Sequence, residues 1–178
     1  MVAATAYSSP MKLAVDQDYP ATPDRLWSVF SDPAYPPAKY LALGAKHVEV
    51  TRFSASDATI EVELSRRIAV DLEKLPGFAR KLIGAEQTMT HHSRWRRIGP
   101  TEVRGELTIT AVGRPVRIVG TASLVPSGEG ASRLSFAFDI TSAVPLLGGK
   151  IARLFAEQVE AALKADHGFT LGYLGGRA

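Results

Sequence analysis

The alternation of apolar and polar residues between 46 and 142 constrains the fold of this chain most strongly. Segments such as TIEVEL and SRLSFAFDI carry an apolar side chain at every second position, which is the period of a strand buried on one face. After Pro145 the period changes, and Ile151, Phe155 and Val159 recur at the spacing of one helix face. A sheet with one apolar face and a helix that covers it form a two-layer α+β domain.

Turn-forming residues divide the chain into seven predicted strands, which should form an antiparallel sheet. Short loops rich in glycine, proline and serine separate the later strands, as is typical of hairpin connections. The predicted strands lie near 11–19, 46–53, 58–68, 87–98, 102–111, 116–125 and 133–142.

The helices are predicted at two places, two short ones after the first strand and a long one at the C-terminus. Thr22 and Pro23 have the residue types preferred at the N-cap and the first position of a helix. The next helix is predicted over 37–43, and the long one over 146–165 with an extension toward 174. The predicted organisation is therefore a disordered lead-in at 1–10 and a single domain at 11–174.

Composition and charge exclude several classes of function. The 178 residues include no cysteine, so disulfides and thiolate metal sites are excluded. No apolar run reaches the ~18 residues that a membrane span needs. The opening MVAATAYSSP lacks the basic start and apolar stretch of a secretory signal, and we therefore expect a cytoplasmic location. The 21 basic and 18 acidic residues are interspersed, so no nucleic-acid partner is expected.

Hairpin geometry predicts which side chains share the inner face of the sheet. Directly opposed residues of antiparallel strands point to the same side. The four-residue loop between the fifth and sixth strands then pairs Ile109 with Ile118. The three-residue loop before the fifth strand places His91 and Trp95 on the inner face, with the neighbouring arginines outside.

Two glycines lie in the middle of predicted strands on that inner face. The same pairing sets Gly105 opposite Ala122 and Gly120 opposite Leu107. Glycine weakens a strand and therefore usually has a structural reason. Two interpretations stay open, a bend or close approach of the C-terminal helix and a hollow left for a ligand.

The polar residues predicted on the inner face are few. Pairing of the second and third strands sets Arg52 opposite Ile60, with Arg66 about 20 Å away at the other end. The two arginines therefore cannot form one anion clamp. Each is expected at the mouth of a cavity, and the alternative is that one of them binds an acidic group of a ligand. His91 is either a hydrogen-bonded core residue or a catalytic or ligand-binding one.

No sequence motif identifies a metal or a cofactor, and none is predicted. The neighbours His91 and His92 face opposite sides of a strand, and His47 and His167 have no ligand spacing around them. A nucleophile elbow, a phosphate loop and a dinucleotide fingerprint are all missing from the sequence.

The segment 72–84, LEKLPGFARKLIG, is basic and amphipathic. Such a segment can make transient contact with an anionic membrane, cover a cavity as a lid, or pack as a short helix on the sheet edge. The sequence does not choose among these three interpretations.

The order of the elements resembles the helix-grip fold of the START-like (Bet v 1-like, polyketide cyclase-type SRPBCC) superfamily. The opening YPATPDRLWSVFSDPAY is similar to the usual start of that superfamily. The segments SDPAYPPAKYLALGA, LPGFARKLIG, SRWRRIG and VPLLGGKIARLFAEQ resemble a bacterial subfamily of unknown function. The resemblance covers about 11–174. It implies a curved sheet wrapped around the C-terminal helix, with a cavity for hydrophobic molecules between them.

The function expected from this resemblance is the binding, transport or sensing of a hydrophobic small molecule, such as a lipid or a polyketide-like compound. The protein is expected to be a monomer or a homodimer. The predicted binding residues line the space between sheet and helix: Tyr19, Val50, Val62, Leu64, His91, Trp95, Leu107, Ile109, Ile118, Gly120, Phe136, Phe138, Phe155 and Val159.

Two alternative functions use other features of the sequence. The first is a cyclase-like or hydrolase-like enzyme that acts in the same cavity, with His91 as general acid or base. The second is an adaptor for a membrane or a nucleic acid, which would use the 72–84 segment or the arginines at 94, 96 and 97.

Overall fold

Seven antiparallel strands form one sheet, and a long C-terminal helix packs against it. The structure is a computed structural model and describes residues 7–176, apart from the side chain of Leu82. The order of the elements confirms the predicted α+β helix-grip fold. They are β1 (Met11–Tyr19), α1 (Pro23–Phe30), α2 (Tyr35–Ala42), β2 (Ala45–Ala55), β3 (Thr59–Ala69), a 3₁₀ turn (Leu72–Lys74), α3 (Gly77–Ile83), β4 (Glu86–Arg97), β5 (Val103–Ala111), β6 (Val116–Gly128), β7 (Ala131–Ser142) and α4 (Gly148–Leu174).

The predicted lead-in at 1–10 falls mostly outside the described residues. Residues 1–6 are not among them, so that part of the prediction is not addressed. Just before β1, the Ser8 N–H donates to the carbonyl of Ser142 at 2.8 Å, which joins this segment to the end of β7.

The strand order in the sheet is β1-β7-β6-β5-β4-β3-β2. Strands β2 to β7 follow one another as neighbours, and β1 pairs with β7 at the far edge. Consecutive strands joined by short loops pair in this way because the connection is too short for a crossover. The predicted registers of the central hairpins are confirmed, since Ile109 faces Ile118, His91 faces Ile109 and Trp95 faces Gly105.

The predicted register of the first hairpin, β2 with β3, is wrong. Arg52 lies opposite Glu63 rather than Ile60, because the turn is tighter than predicted and the strands pair as far as Ala55 with Ile60. A bulge between Val50 and Arg52 also adds one residue to β2. An extra residue in one strand reverses the faces of all the side chains beyond it. Phe53 therefore packs against the core, and the Arg52 guanidinium lies outside, 3.8 Å from the carboxylate of Glu63.

Local signals account for the first two helices. The Thr22 hydroxyl accepts a hydrogen bond from the Arg25 N–H at 3.2 Å, which confirms the predicted N-cap of α1. Helix α2 begins at Tyr35, two residues before the predicted start, with two prolines in its first turn. Proline is compatible with the first turn because the N–H groups there have no partner within the helix.

Helix α4 continues to Leu174, through both Gly168 and Gly172. Each glycine costs about 1 kcal/mol in a helix interior, so packing must compensate. The Tyr173 ring lies 5.2 Å from that of Tyr35, and its hydroxyl donates to Asp32 at 2.7 Å. These contacts hold the last turns of α4 against α2. Within residues 7–176, no helix has both the length and the apolar character that crossing a membrane requires.

Candidate functional site

A cavity of about 670 Å³ lies between the sheet and α4. This volume is within the usual range of pockets for small molecules, which is ~300–1,000 Å³. Most predicted binding residues line it: Tyr19, Val62, Leu64, His91, Trp95, Leu107, Ile109, Ile118, Phe136, Phe138, Phe155 and Val159.

Two predicted residues, Val50 and Gly120, do not line this cavity. A methyl group added at Gly120 would overlap the ring of Phe138, and one at Gly105 would lie 2.7 Å from the ring of Trp95. The glycines therefore make room for aromatic rings of adjacent strands, and the space above them is already filled. Val50 is half-buried and packs beside the core on β2.

The helix side of the cavity is lined by small residues that sequence analysis did not select. Ala161, Ala162 and Ala165 of α4 border the empty space. Their methyl groups reach only a short way from the helix, so the sheet and the helix backbone are separated by a gap. The AALKA segment could have indicated this gap, because alanine is the smallest residue that favours a helix.

One group of polar residues in the cavity is already satisfied by the protein. The Gln17 amide donates to the carbonyl of Leu163 at 2.8 Å, which connects β1 with α4. The Tyr19 hydroxyl donates to the Gln17 side chain at 2.7 Å, and burial raises the pKa of Tyr19. The hydroxyl proton of Tyr19, one of the predicted binding residues, is thus donated to an acceptor of the protein itself.

A second polar group joins α2 to α4. Lys39 pairs with Asp166 at 3.0 Å, and the hydroxyls of Tyr35 and Thr170 are 2.7 Å apart. Tyr35 and Lys39 are four residues apart on α2, and Asp166 and Thr170 are four residues apart on α4. The two pairs therefore lie on facing surfaces of these helices. Burial opposes the charge of Lys39, but Asp166 and the nearby tyrosines outweigh it and hold its pKa well above the ordinary value. Sequence analysis missed these residues, although the paired spacings were visible.

A third polar group connects α2, β3 and β4 around His91. Arg66 Nε donates to His91 Nε2 at 2.9 Å, and the Tyr40 hydroxyl lies 3.4 Å from His91 Nδ1. The guanidinium of Arg66 and the ammonium of Lys39 lie 4.8 Å and 4.9 Å from the centre of the Tyr40 ring. Burial lowers the pKa of Arg66. The pKa of His91 is well below its ordinary value because of burial and the two neighbouring cations.

This geometry assigns the proton on His91. An arginine is always protonated, so His91 Nε2 must accept the hydrogen bond with its lone pair. The proton of the neutral ring is then on Nδ1, directed at the Tyr40 oxygen. His91 has no lone pair left to take a proton from a ligand. The alternative of a general base at His91 would require Arg66 to move away first.

The 72–84 segment packs over one end of the cavity. Leu75 and Ile83 are buried in the core and also line the cavity. Arg114, in the loop after β5, donates to the carbonyl of Ile83 at 2.8 Å. Lys81 remains exposed to solvent. The segment is thus docked by its apolar face in the structure, and its basic face is outside.

The outer face of the sheet carries paired charges. Arg94 is 3.5 Å from Glu61, and Arg96 is 3.2 Å from Glu106. Arg97 lies on the other face, opposite buried Val103, and pairs with Asp24 of α1. This neutralisation does not favour a phosphate-binding stripe. The group Glu61, Glu63 and His92 has the spacing to hold a metal ion, but Arg52 pairs with both carboxylates.

The fold and the cavity define the class of this protein, which has the helix-grip fold of the START-like superfamily. Residues 14–174 match the family described as "Protein of unknown function (DUF2505)". The match covers most of the chain, and the protein belongs to this family.

Solved structures share this fold, and a curated relative shares part of the sequence. The ZhuI aromatase/cyclase from Streptomyces sp. R1128 has a TM-score of 0.57 and 20% identity, over 94% of this chain and 95% of that chain. A START superfamily protein from Mycobacterium smegmatis has a TM-score of 0.51 and 15% identity, over 88% and 94%. The uncharacterized protein Rv0481c from Mycobacterium tuberculosis is 28% identical over 118 residues, 66% of this chain and 67% of the relative. At these identities the solved structures show a shared fold.

Proposed function

We propose that this protein binds a hydrophobic small molecule between the sheet and α4, as a carrier or sensor. The observation that carries the proposal is the cavity of about 670 Å³ bordered by core side chains. Protein interiors are otherwise packed as densely as organic crystals, with few voids larger than a water molecule. A lipid or a polyketide-like compound has the apolar surface to fill such a space. Its burial at roughly 25 cal/mol per Å² is sufficient for micromolar affinity after the costs of association.

The test is to fill the cavity from the helix side. Ala162 lines the cavity, so Ala162→Trp places a large ring into the empty space. We expect the neutral fluorescent probe N-phenyl-1-naphthylamine to bind the unaltered protein. Its affinity should fall about tenfold or more in the variant, because the loss of 1.4 kcal/mol of contact is a factor of ten.

The matched control is Lys164→Trp, which adds the same ring at an exposed position of α4 that does not border the cavity. The control should bind the probe as the unaltered protein does. Equal probe binding by a folded Ala162→Trp protein would contradict the proposal. Native mass spectrometry of the purified protein gives an independent test, because a carrier is expected to retain a hydrophobic compound that organic extraction then releases.

A further inference from the structure

Six charged residues line the cavity: Lys39, Arg66, Lys74, Asp71, Glu157 and Asp166. They balance in number, but not all of them are paired. Lys39 is neutralised by Asp166, at 3.0 Å. Arg66 also lines the cavity, but among residues 7–176 no carboxylate is within ion-pair distance of its guanidinium. His91 next to it is neutral and hydrogen-bonded. Arg66 is half-buried, and Asp166 attracts it without contact. Its positive charge therefore lacks a contacting anion among these residues, which is costly where water is partly excluded.

The groups of Arg66 and Tyr40 that lack a hydrogen-bond partner in the described part of the chain are donors. Only one of the five N–H groups of Arg66, the one at Nε, has an acceptor among the described residues. The Tyr40 oxygen faces the protonated Nδ1 of His91, and the hydroxyl proton of Tyr40 has no acceptor in the same part of the chain. A ligand group that satisfies both residues must be an acceptor.

We propose that the ligand of this cavity is an amphipathic carboxylic acid, with its carboxylate bound by Arg66 and Tyr40 and its apolar body between the sheet and α4. A carboxylate matches the planar fork of a guanidinium with two parallel hydrogen bonds and supplies a contacting anion. His91 acts as a positioning residue, because it holds Nε of Arg66 so that the terminal N–H groups remain available. This inference rests on the proposed function and specifies its ligand.

The experiment compares two probes that differ in charge only at one end, 11-(dansylamino)undecanoic acid and its methyl ester, by fluorescence titration at pH 7. We expect the unaltered protein to bind the acid about 10- to 100-fold more tightly, the usual contribution of hydrogen bonds to a charged group. Arg66→Gln should reduce the affinity for the acid to that for the ester, while the ester affinity changes little. Arg67→Gln is the control, because Arg67 is the exposed neighbour of Arg66 on β3 and does not line the cavity.

The outcomes separate the two proposals. Equal affinities of the unaltered protein for acid and ester would overturn the carboxylate inference and leave the hydrophobic cavity intact. Binding of neither probe would overturn the proposed function and the inference with it. A preference for the acid that persists in Arg66→Gln would overturn the role of Arg66. The comparison on the unaltered protein needs no variant, so the inference stays testable if Arg66→Gln fails to fold.

Discussion

Two adjacent histidines on β4 show that the two faces of the sheet give the same side chain different partners. His91 faces the cavity, where its ring accepts a hydrogen bond from Arg66 at 2.9 Å. His92 faces outward, where its ring lies 3.0 Å from the Glu61 carboxylate. The hydrogen bond from His92 is the main cause that lowers the pKa of Glu61. The inner histidine is thus kept neutral by burial and by neighbouring cations, while the outer one donates a hydrogen bond that stabilises an anion.

The two faces also differ in how many partners each charge has. Outside, Glu61 is itself only 13% exposed, but it lies within 4.0 Å of Arg52, His92 and Arg94, whose side chains are 58%, 48% and 52% exposed. Inside, Lys39 has Asp166 as its carboxylate partner, and the two side chains are only 14% and 23% exposed. We infer that the loss of one partner is compensated by neighbours and solvent on the outer face. On the inner face, the same loss leaves a poorly solvated charge.

The largest expected effect concerns the inner ion pair. Lys39→Met leaves the Asp166 carboxylate without its cation, and we expect a loss of about 2–4 kcal/mol in the free energy of unfolding. Lys12→Met breaks a surface pair with Asp139 whose side chains are 80% and 44% exposed, and should cost less than about 1 kcal/mol. Urea unfolding of both variants at pH 7 measures the difference. Similar losses in the two variants would remove the distinction between the faces.

An intermediate effect is expected in the pH dependence of stability. The pKa of His91 is lowered in the folded protein by burial, Arg66 and Lys39. The pKa of a histidine in the unfolded chain is about 6.5. Below that pH the unfolded chain binds a proton that the folded protein does not, so stability decreases as the pH decreases. His91→Gln keeps an acceptor for Arg66 and removes this site. Between pH 7 and pH 5 the variant should lose about 1–2 kcal/mol less than the unaltered protein.

The control for this measurement is His47→Gln, at an exposed histidine on β2. Urea unfolding at a series of pH values should give the control the same pH dependence as the unaltered protein. If His91→Gln also kept that dependence, the neutral state of His91 would be refuted.

The smallest effect is expected on the outer face. Arg94→Gln removes one of the cations around Glu61, while Arg52 and His92 remain. We expect a change below about 0.5 kcal/mol, because Arg94 is 52% exposed and two other partners of Glu61 remain. Thermal unfolding at low and high salt measures it, and a loss above about 1 kcal/mol would show that the outer cluster is not redundant.

Much of the fold could be predicted from local patterns. The period of two and the short loops between β4, β5 and β6 were sufficient to pair Ile109 with Ile118 and to turn His91 inward. A bulge interrupts this pattern. The extra residue after Val50 changed the face of Arg52, and its only trace in the sequence is the shift of the apolar residues from positions 48 and 50 to position 53.

The candidate site was predictable on its sheet side and less so elsewhere. Apolar residues such as Leu64 and Phe136 line the cavity because the strand period already placed them on the inner face. Gly120 was misleading, because the ring of Phe138 occupies the space that a side chain at this position would take, and no hollow is left there. Lys39 and Asp166 were missed because they are 127 residues apart in the chain.

The sequence by itself determined which segments are strands and helices and which of their faces is apolar, because these properties repeat over a few neighbouring residues. Only the tertiary structure decided which charges have partners, since a partner is set by distance in space and not by position in the chain. Arg66 illustrates the difference. Its place on an inner face followed from alternation, whereas its contact with His91 and its lack of a described carboxylate partner emerged only when α2, β3 and β4 came together.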